Sequence, residues 1–220
     1  MEASIHVRLC TTKNSDLFTD VMKLRYEAYF ADSRLTWQSS WADMHDEWDE
    51  RSIIAAAYLN GQISGSIRVT VNNRADVLSY PSLYIKNNLE NADHKATRIT
   101  PDLYVESSRL CISPQCRGQG LWYQLAAYMV AIANKTGRRY IVGSAIDELV
   151  PTWCKIGFNK TGYRYHNSDI GGQIHEMMFL DVSHVLENPF NKAFHQIVQA
   201  AVCAPLYEDK EVQAILFRSW

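Results

Sequence analysis

The 220-residue sequence has no Cys-x-x-Cys pair, no His-x-His or His-Glu-x-x-His spacing and no long apolar run. Each absence removes a class of protein. The cysteines, Cys10, Cys111, Cys116, Cys154 and Cys203, are odd in number and scattered, a pattern of reduced thiols rather than of a disulfide frame or a zinc site. The histidines, at positions 6, 45, 94, 166, 175, 184 and 195, offer no metal-ligand spacing, so no metal is expected. The longest apolar run, Leu125 to Ala133, is far short of the ~20 residues that span a bilayer, so no transmembrane segment is expected. The opening MEASIHVRLC has an acidic second residue and no apolar core segment. No signal peptide is expected from it, and the expected location is cytoplasmic. Charge of one sign is lacking too: 22 Lys+Arg against 24 Asp+Glu leave a formal −2, which argues against a generally basic nucleic-acid binder.

What is present is a core. Hydrophobic residues make up 47% and charged residues 21%, with 7 Phe, 6 Trp and 12 Tyr, enough to bury a large interior in one domain with a short appendage. Ile5, Val7 and Leu9 alternate with polar residues and predict a strand. Ser15 to about Phe30 has helical spacing, with Ser15 as the expected cap. A tryptophan-rich polar segment follows to Arg51. Ser52–Leu59 and Ile63–Val71 predict a hairpin across Asn60-Gly61. The span from Asn72 to Pro101 reads as an irregular surface excursion. Then come a strand over Leu103–Ile112, a loop over Ser113–Gly120 and a helix from Gln119 to about Thr136. After these come a strand over Arg139–Ser144 and a shorter helix over Asp147–Ile156, with Pro151 best placed in its first turn. Lys160–Tyr165 and Ile174–Val182 close the pattern as a strand pair, and Ser183–Trp220 reads as a helix to about Val202 and a tail. The order predicts an α/β (α+β) fold with a mixed, largely antiparallel sheet and one strand–helix–strand crossover.

The most specific chemical signal is Ser113-Pro114-Gln115-Cys116-Arg117-Gly118-Gln119-Gly120, which follows an apolar strand and opens a helix. Glycines let backbone turn tightly and approach a ligand, and a helix N-terminus presents free N–H groups with partial positive charge. A diphosphate suits such a site. The spacing is neither GxGxxG nor GKS/GKT, so the dinucleotide fingerprint and the ATP-binding P-loop are not met. A bare GxG is also compatible with a plain turn before a helix. A second constellation is charged: Arg25 in Leu24-Arg25-Tyr26-Glu27-Ala28-Tyr29, Asp46 and Asp49 in Asp46-Glu47-Trp48-Asp49, Arg68 in Gly65-Ser66-Ile67-Arg68, and Glu106 and Arg109 in Glu106-Ser107-Ser108-Arg109. Charges inside apolar strands need partners. Positions 106 and 109 point to opposite faces unless a bulge intervenes. These residues suit either a structural ion-pair network or a site for a zwitterionic substrate or an amine that must be deprotonated.

Gln115-Cys116-Arg117-Gly118-Gln119-Gly120 resembles the Q/R-x-x-G-x-G/A motif of the GNAT acyltransferase superfamily, and Trp153-Cys154-Lys155-Ile156-Gly157-Phe158 resembles the later segment of that superfamily ending in Gly-Phe. The charged set is similar to the Arg…Asp-x-x-Asp…Arg…Glu-x-x-Arg pattern of the acyl-homoserine-lactone (autoinducer) synthases, and more so to their relatives, the N-acyl amino acid synthases. Together the resemblances cover nearly the whole chain to Asp181. The clear Q-x-x-G-x-G loop is a departure from typical autoinducer synthases and favours the N-acyl amino acid branch.

The resemblance implies a GNAT fold, a twisted sheet of about seven strands flanked by helices. The domain is expected over 1–182, with a C-terminal helical extension over 183–220 packed on it. It implies an enzyme moving a long-chain fatty acyl group from an acyl carrier protein or coenzyme A to the amino group of an amino acid or related amine. The acyl-phosphopantetheine is then a co-substrate, and no permanently bound cofactor is implied. Glu106 is the implied general base. Arg25, Trp37, Asp46, Asp49, Arg68 and Arg109 are the implied substrate-binding set. Cys111, Ile112, Gln115, Cys116, Arg117, Gly118, Gln119 and Gly120 hold the donor. Trp37, Trp41, Trp48, Leu121, Trp122 and Tyr123 suit either the walls of an acyl tunnel or core aromatics and a lid. Arg117, Lys135, Arg138 and Arg139 suit either a basic patch toward an acidic carrier protein or coenzyme A, or a solvated helix end whose C-terminal dipole favours cations. Alternative activities are a short-chain acetyltransferase, lactone synthesis from S-adenosylmethionine, and a non-catalytic acyl-thioester-binding module.

Overall fold

The computed structural model describes residues 4–32, 40–72, 101–167, 172–187, 191–206 and 208–217. Trp37, Trp220 and most of the expected 72–101 excursion lie outside them. Seven strands form one sheet: β1 (Ile5–Cys10), β2 (Ser52–Leu59), β3 (Gln62–Val71), β4 (Tyr104–Ile112), β5 (Tyr140–Ile146), β6 (Asn159–Asn167) and β7 (Gln173–Asp181). Their order is β1-β2-β3-β4-β5-β7-β6, with β4–β5 the parallel pair and the other neighbours antiparallel. The β2–β3 hairpin turns at Asn60 (φ 52°) and Gly61 (φ 83°), both in the left-handed region that a tight hairpin turn needs.

Helices cover the two faces. α1 (Ser15–Ala31) lays Val21, Met22, Leu24, Ala28 and Tyr29 against Cys10, Ile54, Ala56 and Cys111 on one face. α2 (Leu121–Lys135) is the crossover between β4 and β5 and packs on the other face, against Ile53, Ala55, Ile67, Val69 and Val105. Because both faces are covered, β2 and β3 are buried almost throughout; β2 is apolar from Ile53 to Leu59, whereas β3 alternates Ile67, Val69 and Val71 with the buried polar Ser66, Arg68 and Thr70. α3 (Val150–Cys154) carries Pro151 in its first turn as expected. Among the described residues no helix is long and apolar enough to cross a membrane.

Two expectations are corrected. Ser15 is the first helical residue of α1, not its cap; Asn14 stands at the cap, and its Oδ1 accepts the Thr11 N–H at 2.8 Å instead of capping the helix. The C-terminal part is not one helix and a tail but α4 (Val182–Glu187), α5 (Lys192–Cys203) and α6 (Lys210–Leu216). The sequence holds Pro189 between the first two, and proline removes a helix donor and clashes with the preceding turn. α5 lies on α2, where Phe194, Val198 and Ala201 join the core, followed by Leu206 and, in α6, Val212 and Leu216.

Asp209 caps α6 by accepting the N–H groups of Glu211 and Val212 at 2.7 and 3.2 Å. It also accepts from Asn14 Nδ2 at 2.7 Å, tying the C-terminal helices to the start of α1. Asp209→Ala should lower stability by about 1–2 kcal/mol, the usual scale of a lost cap, seen as a lower urea midpoint with an unchanged slope.

Candidate active site

The site is built around an irregularity in β4. Arg68 of β3 pairs with Ser108, but Ser66, two residues away, pairs with Cys111, three residues away. The extra residue is a bulge at Arg109, whose φ of 54° is left-handed although it is not glycine. The bulge resets the alternation. Ser108 faces Arg68, whose Nε donates to Ser108 Oγ at 2.9 Å, and Arg109 swings to the same side. There Arg109 Nη2 donates to Asp46 Oδ2 at 2.8 Å.

The Asp-x-x-Asp spacing is a helix-capping device. Asp46 caps a short 3-10 turn over Glu47–Arg51 by accepting the Trp48 N–H at 3.0 Å, and Asp49 accepts the Asp46 N–H at 3.1 Å. Both carboxylates thereby face the arginines. Arg25 Nη1, from α1, meets the two Asp49 oxygens at 3.0 and 3.2 Å and is sealed from solvent with it. Arg68 bridges the two carboxylates, reaching Asp46 and, at 3.4 Å, Asp49. Three guanidiniums thus share two carboxylates, one positive charge in excess within the set. Arg109 and Asp46 form the accessible end of the set, with side chains 14% and 23% exposed. Burial alone would raise the Asp46 carboxyl; the guanidiniums of Arg68 and Arg109 overcome it and hold the group below the usual carboxylate range.

A split opens beside this network. β4 and β5 pair at Tyr104–Tyr140, Val105–Ile141 and Glu106–Val142 and no further. Glu106, 6% exposed, stands at the last paired step. Beyond it the strands part around a cavity of about 80 Å³, with Ser107, Ser108, Arg109 and Leu110 on one wall and Gly143, Ser144, Ala145 and Ile146 on the other. At Gly143 the strands are still close: a side chain there would meet Ser107 Oγ at 2.6 Å and the Ser107 carbonyl at 3.0 Å. Tyr29, Leu110, Leu149 and Trp153 are shared with a second cavity, of about 280 Å³, which also touches Cys111, Ile112, Arg117 and Trp122. A groove therefore runs from the start of α2 to the split.

The glycine loop lies at the far end of that groove. Pro114–Cys116 form one 3-10 turn, and Gly118 (φ 79°) and Gly120 (φ 80°) turn left-handed into α2. Gly120 is the N-cap residue and brings no side chain to the first turn, where the Tyr123 N–H donates to the Gly120 carbonyl at 3.1 Å. Gln119 Nε2 donates to the Gln115 carbonyl at 3.3 Å, and Arg117 reaches Asp32, at the end of α1, at 2.8 Å.

The structure brings together Glu106, Arg25, Arg68, Arg109, Asp46 and Asp49 on one side, and Cys111 to Gly120 on the other. It does not assemble the expected basic patch. Arg117 is separated from Lys135, Arg138 and Arg139 by the length of α2, ~22 Å for its 15 residues. Arg138 is buried and donates to the Asn72 carbonyl at 2.9 Å, and Arg139 pairs with Asp181 at 3.2 Å. Of the candidate tunnel residues, Trp122 lines the larger cavity. Trp41 and Trp48 belong to the 3-10 turns beside α1, where Trp41 is 42% exposed and Arg51 stacks on Trp48. Sequence reasoning missed Tyr29, Ser144 and His175, which all line the split. The available signal was a polar residue inside each of two apolar strand runs, Ser144 in Tyr140–Ile146 and His175 in Gln173–Asp181. Burial pushes the thiols the other way from reactivity: Cys10 is raised to about 12, and Cys111 is raised likewise. Among the described residues no group of His, Cys, Asp or Glu is arranged to hold a metal.

A bulged strand, a split parallel pair and a glycine turn opening the crossover helix form a cleft suited to an extended ligand with an anionic end, and the family to which the chain belongs makes it an acyltransferase. The acetyltransferase (GNAT) family model matches residues 18–148, more than half of the chain, and the protein belongs to that family. No curated protein matches its sequence. The fold is similar to that of FeeM, an N-acyl amino acid synthase from uncultured soil microbes, at 12% identity and a TM-score of 0.62, covering 90% of this chain and 98% of that one. It is similar to BjaI, a CoA-dependent acyl-homoserine lactone synthase solved with SAM and isopentyl-CoA, at 14% identity and a TM-score of 0.60 over 89% and 90% of the two chains. An acyl-CoA N-acyltransferase from Pseudomonas aeruginosa matches at 19% identity and a TM-score of 0.56 over 80% and 99%.

Asp46 links this network to pH. Its lowered value means that its contribution to stability is complete above the ordinary carboxylate value of about 3.9 and disappears as pH falls through the lowered one. The difference in melting temperature between the protein and Asp46→Asn should therefore be constant from pH 7 to 5 and shrink below pH 4.

Proposed function

We propose that the protein moves an acyl group from a phosphopantetheine thioester to the amino group of an amino acid or related amine by direct attack, with Glu106 as general base. The observation that carries this reading is the groove that joins the glycine turn to the split and ends beside the accessible Arg109. In this reading the donor's diphosphate sits on the N–H groups of Arg117 to Gly120 and the first turn of α2, with Gln115 and Cys116 shaping the turn. The pantetheine arm lies along the part of β4 that β5 leaves unpaired, adding to it like a strand. Backbone N–H groups near Cys111 and Ile112 polarise the thioester carbonyl.

The acceptor's carboxylate matches the guanidinium of Arg109, at the accessible end of the set, since a guanidinium fork suits a carboxylate. Arg25 and Asp49 act from behind, holding Asp46 and Arg68 in place, because neither is exposed. Glu106, at the last paired step, takes a proton from the amine directly or through a water. Positioning of amine and carbonyl supplies most of the rate. The dispersal of the four cations favours coenzyme A, which carries its own phosphates, over a carrier protein recognised by a basic face. The small volume at the split supports a second reading, transfer of a short acyl group such as acetyl.

Mass spectrometry of lipid extracts from cells expressing the protein should reveal new N-acylated amines and name both substrates; only short N-acyl products would favour the second reading. With the purified protein, Glu106→Gln should lower turnover ~100-fold while donor binding measured by calorimetry is retained. Gly118→Val should do the reverse, weakening donor binding, because φ of 79° strains any side chain although none would clash. Normal donor binding by Gly118→Val would remove the loop from the site.

A further inference from the structure

Three strands place one polar side chain each on the same face beside the split. Ser144 Oγ, on β5, lies 2.8 Å from the Tyr165 hydroxyl, on β6, and 3.1 Å from His175 Nδ1, on β7. Tyr165 and His175 are direct cross-strand partners. Ser144 and His175 line the split cavity, and His175 is 9% exposed. Glu106 pairs with Val142, two residues before Ser144 on β5, so Glu106 and Ser144 project from the same face at successive positions. The group of three is on the β5 side of the opening and Glu106 is on the β4 side.

An ammonium has to lose two protons to become an amide N–H. We propose that Ser144 and His175 carry the second of them from the attacking nitrogen to the leaving sulfur, an inference that rests on the acyl-transfer reading above. Glu106 takes the first proton before attack and passes it to solvent. The nitrogen lone pair then forms the C–N bond, and the nitrogen gives its second proton to Ser144 Oγ while the Ser144 proton moves to His175 Nδ1. When the tetrahedral intermediate collapses, the C–S bond breaks with its electron pair on sulfur. His175 returns the proton to Ser144 as Ser144 gives its own to the sulfur, and a thiol departs. Ammonium and thioester become amide, thiol and one proton released to water. Tyr165 is a positioning residue: by donating to Ser144 Oγ it leaves the Ser144 hydrogen for Nδ1 of His175.

The test varies the leaving group. The purified full chain and its Ser144→Ala, His175→Gln, Tyr165→Phe and Glu106→Gln variants are assayed with acetyl- and decanoyl-CoA and with the matching S-phenyl thioesters, using the standard amino acids as acceptors. An aryl thiolate leaves without a proton, so the intermediate collapses first and the N-protonated amide gives its second proton directly to water, bypassing Ser144 and His175. Ser144→Ala and His175→Gln should lose ~100-fold in kcat/KM against the parent chain on the coenzyme A donors. They should stay within about threefold of it on the phenyl donors, with Tyr165→Phe between, whereas Glu106→Gln should fall on both. Equal losses on both donors, or no loss for Ser144→Ala, would overturn the relay and leave acyl transfer standing. A parent chain inactive with every donor and acceptor would overturn the acyl-transfer reading and the relay with it.

Discussion

The hydrogen-bond ladder between β4 and β5 stops at Glu106 and Val142, and the rest of the site depends on that stop. A parallel pair that ran its full length would bury the backbone groups of both strands against each other. Here β4 continues to pair with β3 on its other edge while, among the described residues, no strand pairs with its β5-facing edge beyond Glu106. An unpaired edge inside a protein is a place for an extended ligand to bind. The glycine turn lies directly beyond the same strand, so one element carries both the edge and the loop that leads to α2. Gly143 keeps the strands close at Ser107, which makes the opening start abruptly instead of fraying gradually.

The second constraint is electrostatic. Arg25 and Asp49 are fully enclosed, and a buried ion pair is held at a desolvation cost that only good geometry offsets. The capping turn supplies that geometry: the same backbone that ends in the β2 strand presents Asp46 and Asp49 three residues apart, each with a backbone N–H already satisfied. The pair then fixes Arg68, and through Asp46 it fixes Arg109. The bulge at Arg109 is what delivers its side chain to this cluster, and its strained φ is held by ion pairing on one side and by resumed β3 pairing on the other. Backbone irregularity and charge network are mutually dependent, since without the bulge Arg109 would point to the α2 face.

The C-terminal helices add to the domain and not to the site as described. Phe194 of α5 packs near Tyr123 of α2, and Trp122, the neighbour of Tyr123, lines the larger cavity. The aromatic wall of the groove is therefore backed by α5 through one helix. The shape of the groove depends on how firmly that backing holds α2, a packing matter rather than a chemical one.

Most of the element order was legible in the sequence, because alternation, helical spacing and Asn60-Gly61 are local signals of backbone geometry. The glycine loop was legible for the same reason: left-handed turns at Gly118 and Gly120 need no distant partner to be anticipated. The charged residues were legible as a set but not in their roles. Their one-positive excess and the sealing of Arg25 with Asp49 depend on α1, the capping turn and two strands meeting. The bulge could be named as a condition but not located, since a register shift is decided by pairing with β3. The basic patch failed because contacts with Asn72 and Asp181 take up Arg138 and Arg139. Ser144 and His175 were visible only as polar residues inside strands and Tyr165 only as one of several strand tyrosines; their meeting joins Ser144 to positions 21 and 31 residues further along. The chain's own order of residues decides which segments become strand, helix and glycine turn, since those follow from nearest-neighbour backbone preferences. Only the folded sheet decides where the ladder ends, which charges are enclosed and which hydroxyl meets which imidazole, since each depends on residues that the chain brings together from far apart.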